Sequence, residues 1–537
     1  MSSFPGYQNY GNLTPSPITS PTRRRSGLDM AAGNTSAHVA ENGESILYTQ
    51  FMDALSATFA PTTNFNDQST VNMWLHNFSK SEEAWEILQK VVSAVPKCSP
   101  EVVFFCANML YTKIKREWMS LRDQLREAYR ARLWGLAKNL AADNTRNFDE
   151  KSCSRLCLCL AAAASYTPGG VSYVVNLGAD IIREEYPKGV IVAVALIAGI
   201  ADEILETDRL RAKTTNLEYE SKEILPDVFK SLSFLLLSGQ SPVSLAHVNE
   251  FFFTSSGSET SREGSKAMKA VLLCLSKWAK IGMTISCLQC HHQDLFKALG
   301  SLFLEGPSVL LGATVDVFCS MLSISMYPRG SGQDEGILNL SVACVQSRAR
   351  FEHALAEDDE ETCLHICRLA SAIGEAETEF VARAEGDMIE FVRLLFDFLS
   401  CPLRDVAVIT LDFWINLCDV EVGCRHPMLR EEVFVSIVNA IVAQGSYPET
   451  LLPCSKENLE DGLCDDDFGP FRVGGEGCEM LLFAFYLLKS KFFNVVFQHL
   501  SDSGMPWHKV ESALWALSVV LKDATKSIEN DENAGET

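Results

Sequence analysis

From about residue 44 onward, apolar residues recur at helical spacing in segment after segment, and no alternating run of a strand stands between them. Ala84, Leu88, Val91 and Val95 share one helix face, with Ser81 placed to cap it and Glu82 and Glu83 suited to its first turn. A second helix opens with Ser99 as cap and Pro100 in the first position. Its stripe of Val103, Phe104, Ala107, Leu110, Tyr111 and Ile114 runs up to Trp118. The pattern returns at Phe391, Leu394, Leu395, Phe398 and Leu399, at Val406, Ile409, Phe413, Trp414 and Leu417, and at Phe434, Ile437, Val438, Ile441 and Val442. Asn42-Gly43 is the obvious hairpin dipeptide, yet no strand-like runs flank it. A single helix pair cannot bury its own stripe, whereas stacked pairs can. The fold expected is therefore all-α, an α-solenoid superhelix of HEAT or armadillo-like repeats, with about 10 to 12 repeats at roughly 40 to 47 residues each. The Trp and Pro spacing does not follow the repeat of about 34 residues found in tetratricopeptide arrays.

Length alone, 537 residues, would suit about three or four compact domains, and the repeating period is what argues against them. A hydrophobic fraction of 47% excludes a disordered chain. The net charge of −23 excludes broad nucleic-acid binding, which needs clustered Lys and Arg, and favours a basic or neutral protein partner. The longest apolar run, Gly189 to Ala201, falls short of the roughly 20 residues that span a bilayer, so no membrane span is expected. Eighteen cysteines scattered through apolar helices, with no secretory leader ahead of them, read as buried free thiols rather than disulfides.

Four segments follow. Residues 1–43 form a loose tail rich in Ser, Pro and Gly, with Arg23-Arg24-Arg25 as a short basic spot that reads as solvated. Residues 44–150 and 151–521 carry the repeats, and 522–537 form a disordered acidic end. Cys287-x-x-Cys290-His291-His292 resembles a haem- or zinc-binding motif, but Cys274 and Cys319 make a poor second ligand pair, and a helix end with packed thiols is the better reading. Cys153 and Cys157 share a helix face while Cys159 points elsewhere, and these thiols, like Cys363 and Cys367 beside His365, are assigned to the core. No phosphate loop, nucleophile elbow or zinc-protease helix is present, so neither an enzyme nor a cofactor is expected. Glu357-Asp358-Asp359-Glu360-Glu361 lies between two helices, and with Glu375, Glu377, Glu379 and Asp465 to Asp467 it could line a negative inner wall.

Several of these residues resemble a known family. Met73-Trp74-Leu75, Ser81-Glu82-Glu83-Ala84-Trp85 and the helix Phe104-Phe105-Cys106-Ala107-Asn108-Met109-Leu110-Tyr111-Thr112-Lys113-Ile114 up to Trp118 look like the amino-terminal region of importin-beta-type karyopherins. Ser154-Arg155-Leu156-Cys157, His365-Ile366-Cys367-Arg368-Leu369-Ala370 and Leu411-Asp412-Phe413-Trp414 are similar to the importin-13/transportin-3 branch, and the resemblance covers about residues 44 to 520, roughly its amino-terminal half. Phe471-Arg472 resembles a further family segment, although Val473-Gly474 departs from the pattern that follows it.

The resemblance implies a monomeric nuclear transport receptor in nucleus and cytoplasm. Such a receptor binds Ran in its GTP form, passes nucleoporins and carries protein cargo, with import as the implied direction. In that family Ran lies on the inner helices of the first repeats, which makes Asn108, Lys113, Lys115 and Arg155 the candidate contacts, with Lys113 and Lys115 expected to be solvated. The acidic run from Glu357 to Glu361 is the candidate contact for a basic surface of Ran or cargo. A non-transport helical-repeat scaffold, and a truncated receptor that binds Ran without cargo, remain alternatives.

Overall fold

The computed structural model describes residues 46–59, 65–93, 98–142, 150–184, 189–210, 215–237, 259–324, 335–447, 468–501 and 504–535. Every regular element among them is helical. The tail with Arg23 to Arg25, Asn42-Gly43, Val95 and the acidic run Asp465 to Asp467 lie outside the described residues. The chain divides into two compact units, one up to Phe78 and one from Ser79 onward, so the boundary falls inside the 44–150 segment.

The first unit contains α1 (Ile46–Phe59) and α2 (Phe65–Ser79). Phe51, Ala54 and Leu55 on α1 and Leu75 and Phe78 on α2 are its buried apolar residues among those described, and the Phe51 and Phe78 rings stack 4.6 Å apart.

In the second unit the helices alternate between two rows. One row runs through α3 (Glu83–Ser93), α5 (Asp123–Ala142), α7 (Gly170–Glu184), α9 (Thr215–Leu237), α12 (Gln293–Glu305), α14 (Glu335–Gln346), α18 (Met388–Leu399) and α21 (Glu431–Gln444). The other runs through α4 (Pro100–Glu117), α6 (Glu150–Ser165), α8 (Val190–Leu210), α10 (Glu259–Gly282), α13 (Ser308–Ile324), α16 (Glu360–Ala376), α20 (Leu411–Asp419) and α23 (Glu476–Leu488). Each helix packs on its pair mate and on the next member of its own row, which is the α-solenoid arrangement. Short helices α11 (Ile285–His291) and α17 (Thr378–Arg383) join one pair to the next, α15 (Arg348–Ala356), α19 (Arg404–Ile409) and α22 (Phe468–Arg472) lie between the two members of a pair, and α24 (Ser490–Ser501) and α25 (Trp507–Gly535) complete the described chain.

The second row is the more tightly packed. Ala161 to Ala164 on α6 are fully buried, and a β-carbon on Gly199 of α8 would stand 3.2 Å from the Ala161 methyl. On α16 a β-carbon at Gly374 would come within 2.7 Å of the Phe413 ring, so only glycine lets α16 approach α20 this closely. Burial on two flanks also explains the thiols. Cys157 points its Sγ at the Val192 carbonyl of α8 and Cys159 at the Ala107 carbonyl of α4, so both are buried although they leave α6 in different directions.

Three local readings differ from the structure. Ser81 does not cap α3: the helix starts at Glu83, and the Ser81 hydroxyl is buried without a hydrogen bond. The stripe from Val406 to Leu417 is two helices, α19 and α20, because the buried Thr410 hydroxyl donates to the Ala407 carbonyl at 2.7 Å and the chain bends there. Helix α25 continues to Gly535, through most of the segment read as a loose acidic end.

Trp118 closes the α3/α4 pair, 1% exposed and tilted against Trp85 with ring centroids 6.0 Å apart. Trp118→Ala is expected to cost roughly 3–5 kcal/mol, the usual range for deleting a large core side chain. An unchanged urea midpoint in this variant would show that the ring is not part of the core.

Candidate partner-binding face

The sequence reading puts four side chains on one accessible surface, and the structure brings three of them together. Asn108 is exposed on α4, Lys115 is half-buried two turns further along the same face, and Arg155 is half-buried on α6. Lys113 is a correction. It is 2% exposed, its Nζ donates to Glu117 Oε2 at 2.6 Å and to the Ser79 carbonyl at 3.0 Å, and it lies 5.3 Å from the Trp85 ring centroid. The physical reason is angular: two residues apart on a helix means roughly opposite faces, and the Lys113 side faces α3. Its ammonium is committed to structure and is not a surface contact.

Around Lys115 the geometry is dense. Its Nζ donates to Glu203 Oε2 at 2.6 Å and to Glu206 Oε2 at 2.8 Å, both on α8, and the Tyr111 hydroxyl donates to the other Glu203 oxygen at 2.8 Å. Glu203 is 1% exposed. Burial raises its pKa, and the bonds from Lys115 and Tyr111 oppose that rise in part. For Lys115 burial pulls the pKa down, but the hydrogen bonds to the two carboxylates outweigh it and favour the cation. Burial and the Glu203 charge keep Tyr111 well above the ordinary tyrosine range, so it stays a hydroxyl. Arg155 completes the set, with its guanidinium 5.1 Å from the Tyr111 ring centroid and 6.0 Å from that of Phe104, whose ring is 38% exposed.

The face thus spans three consecutive helices, α4, α6 and α8, and includes Phe104, Tyr111, Glu203 and Glu206, which sequence reasoning did not single out as site residues. Phe104, Asn108, Tyr111 and Lys115 follow one another at helical spacing, a signal present in the sequence. Glu203 had a signal too, as a carboxylate following the longest apolar run of the chain, where an unpaired charge would be costly.

The acidic run sits further along the second unit, at the joint of α15 and α16. Asp358 adopts a φ of 57°, the left-handed conformation that Asp tolerates better than most residues, and so ends α15. Asp359 caps α16: its side chain accepts the Thr362 N–H at 3.1 Å, a bond that holds its carboxyl below the usual range. Glu360 and Glu361 occupy the first turn of α16, a favourable place for negative charge, and remain exposed with Glu357 and Asp358. Part of the run therefore stops one helix and starts the next.

Cys287 and Cys290 lie on the short helix α11 but are exposed, so the expectation of packed thiols there is corrected, and no group of three or more His, Cys, Asp or Glu suited to a metal ion occurs among the described residues. Among the same residues no single helix is long and apolar enough to cross a membrane.

Two outcomes follow from this geometry. Lys113→Glu is expected to destabilise the chain by at least about 3 kcal/mol, because it places a carboxylate in a buried site beside Glu117; a melting temperature equal to that of the unaltered chain would contradict the burial. Asp359→Ala should cost about 0.5–2 kcal/mol at neutral pH through loss of the cap. The folded-state pKa of Asp359 is depressed, so its contribution is present above the unfolded pKa near 4 and is lost as pH falls through the folded value. Urea midpoints of the two proteins should therefore converge in acid, and a gap that stays constant down to pH about 2 would refute the cap.

Comparison with known proteins places this geometry in context. Residues 358–444 match the family model for the Transportin-3/Importin-13 second TPR domain. Importin-13 of Homo sapiens and of Mus musculus are each 22% identical over 496 residues, covering 86% of this chain and 46% of theirs. Transportin MOS14 of Arabidopsis thaliana is 20% identical over 413 residues, covering 72% of this chain and 39% of its own. A solved structure of importin-13 in its cytosolic state superposes with a TM-score of 0.55 at 15% identity, over 78% of this chain and 46% of that one, which speaks for the fold. The helix pairs in two rows, the match at 358–444 and the sequence likeness along most of the chain agree in pointing to the importin-13 type, and the chain, similar to importin-13 over most of its own length, spans about half the length of the curated relatives it matches.

Proposed function

We propose that the chain acts as a nuclear transport receptor that shuttles between cytoplasm and nucleus, binds Ran in its GTP form on the α4/α6/α8 face, and carries protein cargo past nucleoporins, with import as its direction. The observation that carries the reading is the convergence of Asn108, Lys115 and Arg155 on one face of three successive helices in an importin-13-like chain. Transport needs a partner-dependent change of affinity. If Ran-GTP and cargo compete, their coupling free energy is unfavourable and acts equally in both directions, so Ran-GTP in the nucleus expels cargo. The net charge of −23 suits basic cargo, whose encounter it would accelerate.

A pull-down with Ran loaded with GTP or GDP tests the reading. Preferential capture of the GTP form is expected, and equal capture of both forms would instead favour a scaffold without transport activity. Asn108→Glu places a negative charge in the middle of the exposed face without touching the core, and it is expected to weaken Ran-GTP binding at least about tenfold if that face meets carboxylates. Unchanged affinity would remove the face from the assignment.

A further inference from the structure

The cations of the α4/α6/α8 face are not equivalent. Lys115 is already held by two carboxylates, at 2.6 and 2.8 Å. Arg155 makes no hydrogen bond or ion pair among the described residues, and its contacts are two rings, those of Tyr111 and Phe104. A guanidinium offers five N–H donors in a planar fork, and stacking on an aromatic face leaves that fork free at its edge. The Tyr111 ring is itself fixed, because its hydroxyl is bonded to the buried Glu203, which also holds Lys115. Side-chain entropy is therefore largely removed from Arg155 before a partner arrives, the condition under which a charge-assisted hydrogen bond contributes most to affinity.

We propose that Arg155 is the group with which this face captures a carboxylate of its protein partner, and that Tyr111, anchored by Glu203, is the positioning residue that holds Arg155 ready. The inference rests on the Ran-binding reading and adds the recognition chemistry to it. A carboxylate fits better than a phosphate. Glu203 and Glu206 lie on the neighbouring helix, and repulsion from them is about twice as large for a dianion as for a monoanion. Lys115 on this view is structural: it neutralises Glu203 and Glu206 and keeps α4 bound to α8.

Equilibrium titration of Ran-GTP against the full chain and its variants tests the assignment, with melting temperature recorded for each. Arg155→Ala should weaken binding roughly tenfold or more at unchanged melting temperature, since one charge-assisted pair is lost. Arg155→Lys keeps the charge but loses the fork and should fall between the two. Tyr111→Phe keeps the ring and should lose about threefold or less, whereas Tyr111→Leu removes the stacking platform and should lose more. In the Arg155→Ala background Tyr111→Leu should have no further effect on affinity. Additive losses would overturn the positioning role, and equal binding by the unaltered chain and Arg155→Ala would overturn the recognition role while leaving the Ran reading intact. Failure of the unaltered chain to bind Ran-GTP would overturn both. Inorganic phosphate displacing Ran-GTP ahead of acetate at equal ionic strength would overturn the choice of a carboxylate.

Discussion

Everything in the second unit depends on close approach between successive helices of one row. A globular domain buries its apolar surface in one core, but here each helix is buried by its two row neighbours and by its pair mate, so packing at every crossing has to succeed separately. Small residues make this possible. Ala161 to Ala164, Gly199 and Gly374 let backbones meet where a larger side chain would collide, and at Gly445 the same role admits the Trp515 ring. Trp278 shows how such a crossing is fixed once made: its indole N–H donates to the Ile197 carbonyl at 2.9 Å, tying α10 to α8 across a buried interface. The charged links between row neighbours are secondary. Lys277 with Asp202 and Arg368 with Asp316 are exposed enough that each contributes no more than about 1 kcal/mol, so they set register rather than hold the stack together.

The same constraint decides what the open stripe of each helix can do. With three sides buried, a long cation must either find a partner within the packing or project from a narrow strip. Lys113 and Lys115, two positions apart, show both outcomes. Lys113 turns into the α3 interface and satisfies a backbone carbonyl and Glu117, whereas Lys115 reaches across to α8. Neither is a free surface charge, although a linear reading treats both as solvated.

The fold was legible because its signal is repeated. Of the α4 stripe, Val103, Ala107, Leu110 and Ile114 are buried whereas Phe104 is exposed and Tyr111 half-buried, and the stripes at Phe391 to Leu399 and Phe434 to Val442 are buried throughout. What could not be read was anything set by the angle between helices. The burial of Lys113, the break at Thr410 and the bond between Tyr111 and Glu203 across 92 residues of chain each depend on which neighbour arrives on which side. Periodicity fixes a face but not its occupant. The acidic run illustrates a further limit: composition presents five equivalent charges, and only the backbone distinguishes the cap Asp359 and the helix-ending Asp358 from their neighbours.

Charge accounting along the second row clarifies why one arginine matters in so acidic a chain. Lys277 and Arg368 are each paired with a carboxylate on the preceding helix of the row, and Lys115 with Glu203 and Glu206 on α8, one helix beyond its row neighbour α6. Positive charge consumed in this way adds little to the external field, so the surplus of carboxylates reaches solvent, a field that would act on a basic partner over a Debye length of about 8 Å at physiological ionic strength. Long-range attraction of that kind raises encounter rates but does not select an orientation, because many basic surfaces satisfy it. Orientation needs a short-range feature of opposite sign. The Arg155 guanidinium, stacked on two rings and without a carboxylate partner among the described residues, would supply one, since it would reward only the approach that brings an acidic group against α6. On the proposed reading, recognition by this face divides between a diffuse negative field that gathers partners and a fixed cation that orients them.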